Sequence, residues 1–193
     1  QNGATLDVKG KEAYYHVVLE DGATLTNSGD AVNTGWKALP YVELQGDASI
    51  NSSSQMVMQK GSGDTGTFQL ALNGHKLTKT GTNMLYLQNV SIGSGTLQID
   101  KGTMKAGDGV TLVNDAALDV IINDGILHTL ASLSLNPLTL GANAGEVCVE
   151  GNNNTLTVTG ATSAAGKFSK TGSGILSLEG ATTFGGEVYV TNG

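Results

Sequence analysis

Apolar residues in this chain come in short alternating bursts. Leu77 and Lys79 alternate up to Thr80-Gly81, Leu85 and Leu87 up to Gln88-Asn89, and Leu97 and Ile99 up to Asp100-Lys101-Gly102. The same rhythm places Leu6 and Val8 inward with Asp7 and Lys9 outward, and it recurs at residues 14–19, 23–26, 41–44, 48–50, 56–58, 68–72, 110–113, 117–122, 147–149 and 156–158. No segment of ten or more residues holds a clean period of about 3.6. Residues 126–140 come nearest to a helix, but Leu133, Leu135, Leu138 and Leu140 alternate and Pro137 interrupts any helix there. Gly, Asn and Asp separate the bursts, with Asn73-Gly74 the strongest turn dipeptide. Residues 27–40, holding Trp36 and Pro40, are the least regular and are expected to form a protruding loop.

Short strands at this spacing are compatible with a β-sandwich, a barrel or a β-solenoid. An internal repeat decides among them. Residues 76–102 recur at 167–193 with a gapless offset of 91 residues. Lys76/Lys167, Lys79/Lys170, Thr80/Thr171, Gly81/Gly172, Leu85/Leu176, Leu87/Leu178, Gly95/Gly186 and Gly102/Gly193 are identical. Leu77/Phe168, Leu97/Val188 and Ile99/Val190 exchange one apolar residue for another. The offset divides into four coils of roughly 23 residues, a plausible solenoid turn. A shorter echo, Gly3-Ala4-Thr5-Leu6 and Gly22-Ala23-Thr24-Leu25, is spaced by 19 residues, near one coil. About eight coils at ~4.8 Å would make a body roughly 40 Å long. One coil cannot bury its own aliphatic residues, so neighbouring coils must cover each other.

Composition narrows the function classes. The chain has 193 residues with 28 glycines, 2 prolines and a formal net charge of −7. An acidic surface disfavours nucleic acid and anionic membrane as partners. All ten basic residues are Lys, so no guanidinium fork is present to grip a carboxylate or phosphate. No run approaches the ~18 apolar residues of a membrane helix. Cys148 is the single cysteine, which precludes an internal disulfide, and in Val147-Cys148-Val149 it reads as a small buried hydrophobe. Sparse cysteine in a Ser- and Thr-rich chain fits a secreted bacterial protein, the alternative by cysteine usage alone being a cytosolic one with a buried thiol. Gln1 has no signal peptide behind it, and Gly193 is the last residue of a repeat. The expectation is one β-helix segment, residues 1–193, of a larger exported protein.

The repeat itself resembles a known family. Lys-Thr-Gly-x-x-x-Leu-x-Leu, a polar spacer and Gly-Thr-Leu-x-Ile-x-x-Gly at 79–102, with a closer copy at 170–193, is similar to the autotransporter-associated β-strand repeat, also called the passenger-associated transport repeat. Asn83 and Ser94 depart mildly from that motif. The resemblance covers about a third of the chain. It implies a right-handed parallel β-helix displayed outside a bacterial cell as stalk or passenger, with no catalytic residue and no cofactor.

Candidate chemistry is thin. His16, His75 and His128 lack metal spacing, although distant residues can share a face in a solenoid. Asn114-Asp115, Asp119 and Asn123-Asp124 supply oxygen ligands of the kind Ca²⁺ takes, without a calcium-binding motif, and turn chemistry accounts for them. Tyr14, Tyr15, Trp36 and Tyr41 bracket the irregular loop near Asp30, Asn33 and Glu43. They read either as an aromatic cap on the end of the helix or as a platform for sugar rings. A polysaccharide-active enzyme is the weakest reading. Glu20-Asp21 is the only adjacent acid pair, and lyases of the pectate type use an arginine base that this chain lacks. The sequence therefore points to a non-enzymatic extracellular β-helix on a bacterial surface. The alternative is a carbohydrate-binding or adhesin module contacting glycans or host and cell-surface proteins. End-to-end self-association through open coil edges is expected as a hazard of either.

Overall fold

The computed structural model describes residues 3–11, 16–31, 39–60, 66–113 and 117–191. They form a parallel β-solenoid in which each full coil lays one strand on each of three faces, and every strand pairing is parallel. Among the described residues there is no α-helix. The first face has nine strands: Thr5–Asp7, Thr24–Thr26, Ala48–Asn51, Lys76–Thr80, Gly95–Ile99, Leu118–Ile122, Leu138–Leu140, Thr162–Ala164 and Thr182–Phe184. The second has seven: Met56–Gln59, Met84–Gln88, Gly102–Ala106, Gly125–Thr129, Gly145–Val149, Phe168–Thr171 and Val188–Val190. The third is split into five strands from His16–Leu19 to Thr111–Leu112 and three strands, Leu133–Leu135, Thr155–Val158 and Ile175–Leu178. The β-sandwich alternative is thereby set aside. A sandwich packs antiparallel sheets, whereas here the chain returns to each face in the same direction.

Alternation inside each strand creates ladders that run the length of the stack. On the first face Leu25, Ile50, Lys79, Ile99, Ile122, Leu140 and Ala164 lie one above another, all pointing inward and all buried. On the second face the inward ladder is Met56, Leu85, Met104, Leu127, Val147 and Lys170. Each coil covers the one before it, and burial of each aliphatic side chain contributes about 1.5–3 kcal/mol. Some outward rungs are polar, as where Thr24 Oγ1 meets Ser49 Oγ at 2.9 Å, and others are apolar, as at Val18, Ile121 and Ile126. The 19-residue echo is one coil, because Thr5 pairs with Thr24 and Leu6 with Leu25.

The 91-residue repeat behaves differently from the expectation of four whole coils. Four coils beyond Lys79 the same inward rung is occupied by Ala164, and Lys170 lies six residues further on, on the next face. The repeat thus equals four coils plus one face. Its first strand moves from the first face (Lys76–Thr80) to the second (Phe168–Thr171), and its second from the second face (Met84–Gln88) to the third (Ile175–Leu178). Coil lengths vary too much for an equal division, and the motif specifies a strand and a corner, which any of the three edges can host.

Among the described residues, the inward rungs at the two ends of the stack are only partly covered. Leu6 in the first strand is 49% exposed despite its inward register, and Val190 opposite Lys170 is 69% exposed. Of the expected loop at 27–40, residues 32–38 lie outside the described set. Its two ends are anchored inside: Asn27 and Leu39 are buried. The Asn27 side chain accepts from Gly10 N (2.6 Å) and Gly29 N (3.2 Å) and donates to Asp30 O (3.0 Å) and Gln55 O (3.1 Å).

Candidate functional site

Lys79 and Lys170, the inward lysine pair of the repeat, are the first polar groups to account for, since each replaces an aliphatic residue in an inward ladder. The Lys79 ammonium donates to Thr80 O (2.8 Å), Gly81 O (2.8 Å) and Lys101 O (2.9 Å). Lys170 donates to Gly172 O and Gly174 O. Burial pushes the Lys79 ammonium down from 10.5 to about 8. Both ammonium groups are engaged with carbonyls at the corners, one of which, Thr80 O, also accepts from Ser52 N, so their role is structural.

Of the aromatic group named from sequence, Tyr14, Tyr15 and Trp36 lie outside the described residues. Tyr41 is partly exposed on the third face, directly beside His16 in register. Their rings meet edge-on with centroids 4.3 Å apart, and His16 Nε2 sits 2.8 Å from Glu43 Oε2. This is a small outward cluster of ring, imidazole and carboxylate at the N-terminal end of the stack.

The oxygen-ligand cluster does not assemble as one group among the described residues. Asn114 and Asp115 lie outside them. Asp119 faces outward in Leu118–Ile122, and Asn123 donates to Asp100 Oδ1 at 2.7 Å as part of a corner that also includes Gln98. Asp124 lines a separate surface groove with Glu146 and Lys167.

The three histidines occupy different places, and one has company that the sequence did not reveal. In Gly145–Val149 alternation sends Val147 and Val149 fully inside, so Cys148 points outward and is partly exposed. This corrects its reading as a buried hydrophobe. Register sets His128 of the preceding coil directly opposite Cys148, and Glu150 follows two residues later on the same side. One ring nitrogen, the thiol sulfur and one carboxylate oxygen lie within 4.8 Å of one another. His128 Nε2 is 3.1 Å from Glu150 Oε2, yet this nitrogen is buried and makes no contact with hydrogen-bond geometry. The cluster borders an open groove of about 710 Å³ lined by Glu146, Cys148, Glu150, Gly151, Thr171 and Gly172. Thr171 Oγ1 holds the Glu146 carboxylate at 2.7 Å. The only sequence signal for this cluster is the 20-residue gap from His128 to Cys148, about one coil, which carries meaning only once the register is known.

Comparison with protein-family models, with curated proteins and with solved structures finds no match to this chain. Among the described residues no helix is long and apolar enough to cross a membrane.

Proposed function

We propose that this chain is a non-catalytic structural segment, a stalk or passenger β-helix, of an exported bacterial surface protein. The observation that carries the reading is the use made of the repeat's polar residues. Of the two lysine pairs that the repeat keeps, Lys79 and Lys170 are turned inward onto corner carbonyls, while Lys76 and Lys167 lie on the outer side. Polar residues retained in order to close corners maintain a rod, and a rod holds other parts at a distance. Resemblance of the two copies to the autotransporter-associated repeat supports the same reading and adds surface display.

The partly covered ends belong to this proposal. Phe168, Leu176, Leu178, Phe184, Val188 and Val190 line an apolar cavity of about 370 Å³ at the C-terminal end. Such an end stacks on another coil or on a second molecule. Sedimentation of the 193-residue chain over a concentration series tests self-association, with Val190→Lys expected to reduce it.

Antibody labelling of intact source cells tests display. Signal without permeabilisation supports the proposal, and signal only after permeabilisation overturns it.

The carbohydrate-binding reading has one observation in its favour, the outward Tyr41–His16–Glu43 cluster. A glycan-array screen of wild type beside Tyr41→Ala, Tyr14→Ala and Trp36→Ala decides between the two. Binding that vanishes in variants with an unchanged far-UV spectrum would replace the stalk reading with an adhesin. Absence of binding by folded wild type leaves the stalk reading in place.

A further inference from the structure

We infer that His128, Cys148 and Glu150 form a binding site for a soft divalent cation, with zinc the best fit. Such a site is independent of the stalk reading and needs no enzymatic activity. Two adjacent strands of the second face, Gly125–Thr129 and Gly145–Val149, are locked in register by their ladder, so His128 and Cys148 are direct neighbours across the coils. Glu150 is two residues from Cys148, the spacing that returns a strand to the same side. Three donors from two coils are therefore brought together by the backbone, without a loop having to fold around them.

The donor chemistry then selects the ion. A nitrogen, a thiol sulfur and one carboxylate oxygen suit zinc, whereas calcium and magnesium take oxygen sets. Tetrahedral zinc at about 2.0–2.3 Å from each donor holds its ligands roughly 3.3–3.8 Å apart. The three atoms here span at most 4.8 Å. The His128–Glu150 pair is already at 3.1 Å, and the Glu150 side chain is 51% exposed and free to adjust without moving a strand. The groove lined by Cys148 and Glu150 leaves room for a water or an added ligand as the fourth partner.

The His128 nitrogen supplies independent support. A buried imidazole nitrogen without a hydrogen bond is costly, and Glu150 at 3.1 Å does not relieve it because the geometry is wrong for a hydrogen bond. A cation between them would satisfy both. The surrounding charges favour one: Glu146 adds a second carboxylate to the groove. Lys105, next to His128 along the ladder, has its ammonium 5.8 Å from the centre of the Tyr86 ring. A Cys–His–Glu nucleophile would use the same residues. It requires a thiol–imidazole hydrogen bond and an imidazole–carboxylate hydrogen bond on opposite ring nitrogens, and neither is formed among the described residues.

Cobalt(II) is the probe, because thiolate ligation to it produces an ultraviolet charge-transfer band and Cys148 is the only thiol in the chain. The 193-residue chain, reduced with a phosphine, is titrated with cobalt and then challenged with zinc. The expected result is one equivalent bound, a thiolate band that zinc removes, and a higher unfolding temperature with zinc. Cys148→Ser should abolish the band, and His128→Gln and Glu150→Gln should each weaken binding at least tenfold. His16→Gln, on another face, should bind like wild type. Far-UV spectra confirm that each variant is folded. Absence of a band in folded wild type overturns the site, as does a band surviving Cys148→Ser. Failure to bind metal combined with rapid, His128-dependent alkylation of Cys148 overturns it in favour of the nucleophile.

Discussion

Lys79 and Lys170 occupy corresponding positions of the sequence repeat, lie on different faces of the solenoid, and form the same kind of contact. Each sits on an inward rung between aliphatic neighbours, Ile50 and Ile99 for the first, Val147 and Val190 for the second. Each turns its ammonium onto the carbonyls of the glycine corner that follows. A lysine stem fills the rung like a methionine, and its head supplies donors where the chain turns away from its ladder partner. The Lys-Thr-Gly motif is therefore a portable corner.

Truncation of Lys79 should remove both functions. Lys79→Ala is expected to cost about 3 kcal/mol, through the cavity and the loss of the donor to Gly81 O and Lys101 O, Thr80 O keeping its bond from Ser52 N. Lys79→Met keeps the volume and should cost nearer 1 kcal/mol. Urea unfolding of both variants measures this, and an unchanged Lys79→Ala midpoint would refute it.

The same lysine should introduce a pH dependence. Its folded value is lowered to about 8 from 10.5, so between these values the unfolded chain binds more protons than the folded one. Stability due to Lys79 then rises with pH across that window, by at most about 1.4 kcal/mol per pH unit, while below it the full cost of burying the charge is present. The difference in unfolding free energy between wild type and Lys79→Met, followed from pH 7 to 10, should move in favour of wild type. A flat difference would contradict it.

The glycine of the corner is irreplaceable for two reasons. Gly172 has φ +77°, and an added Cβ would stand 2.3 Å from Val149 O. Gly74 has φ +82° but nothing within 4 Å of such an atom. Gly172→Ala should cost about 3 kcal/mol or prevent folding, and Gly74→Ala only about 1 kcal/mol. Thermal unfolding of the pair separates backbone strain from steric contact.

Asn27 should be a stability hot spot despite lying at the edge of an irregular stretch. Asn27→Ala leaves two backbone donors and two carbonyls without their partner, at an expected cost of about 3 kcal/mol. Asn27→Asp should be no better, since a carboxylate would face Asp30 O and Gln55 O in place of an amide N–H. A urea midpoint for Asn27→Asp close to that of wild type would contradict this.

Much of the architecture was legible along the chain because its cause is local. Alternation with period two separates inside from outside within each strand. This is why the rungs Leu77, Leu85, Leu97 and Ile99 were readable, and why the apparent helix around Leu133–Leu135 and Leu138–Leu140 resolves into two strands. Within Val147-Cys148-Val149 the same alternation turns Cys148 outward, against the preference of a thiol for the interior. Asn73-Gly74 marks its corner through backbone preference alone, and both residues take positive φ, at +53° and +82°.

Coil length is a different matter, because it is set by the span of each corner and has no local signature. Sequence could show that residues 76–102 and 167–193 are alike but not that they lie on different faces. Nor could it bring His128 beside Cys148, since that neighbourhood depends on the exact number of residues in one particular coil. Local pattern specified which side chains turn inward and where the chain bends. Stacking register, a property of the folded whole, selected which outward side chains meet, and it is through those meetings that this solenoid acquires a candidate site.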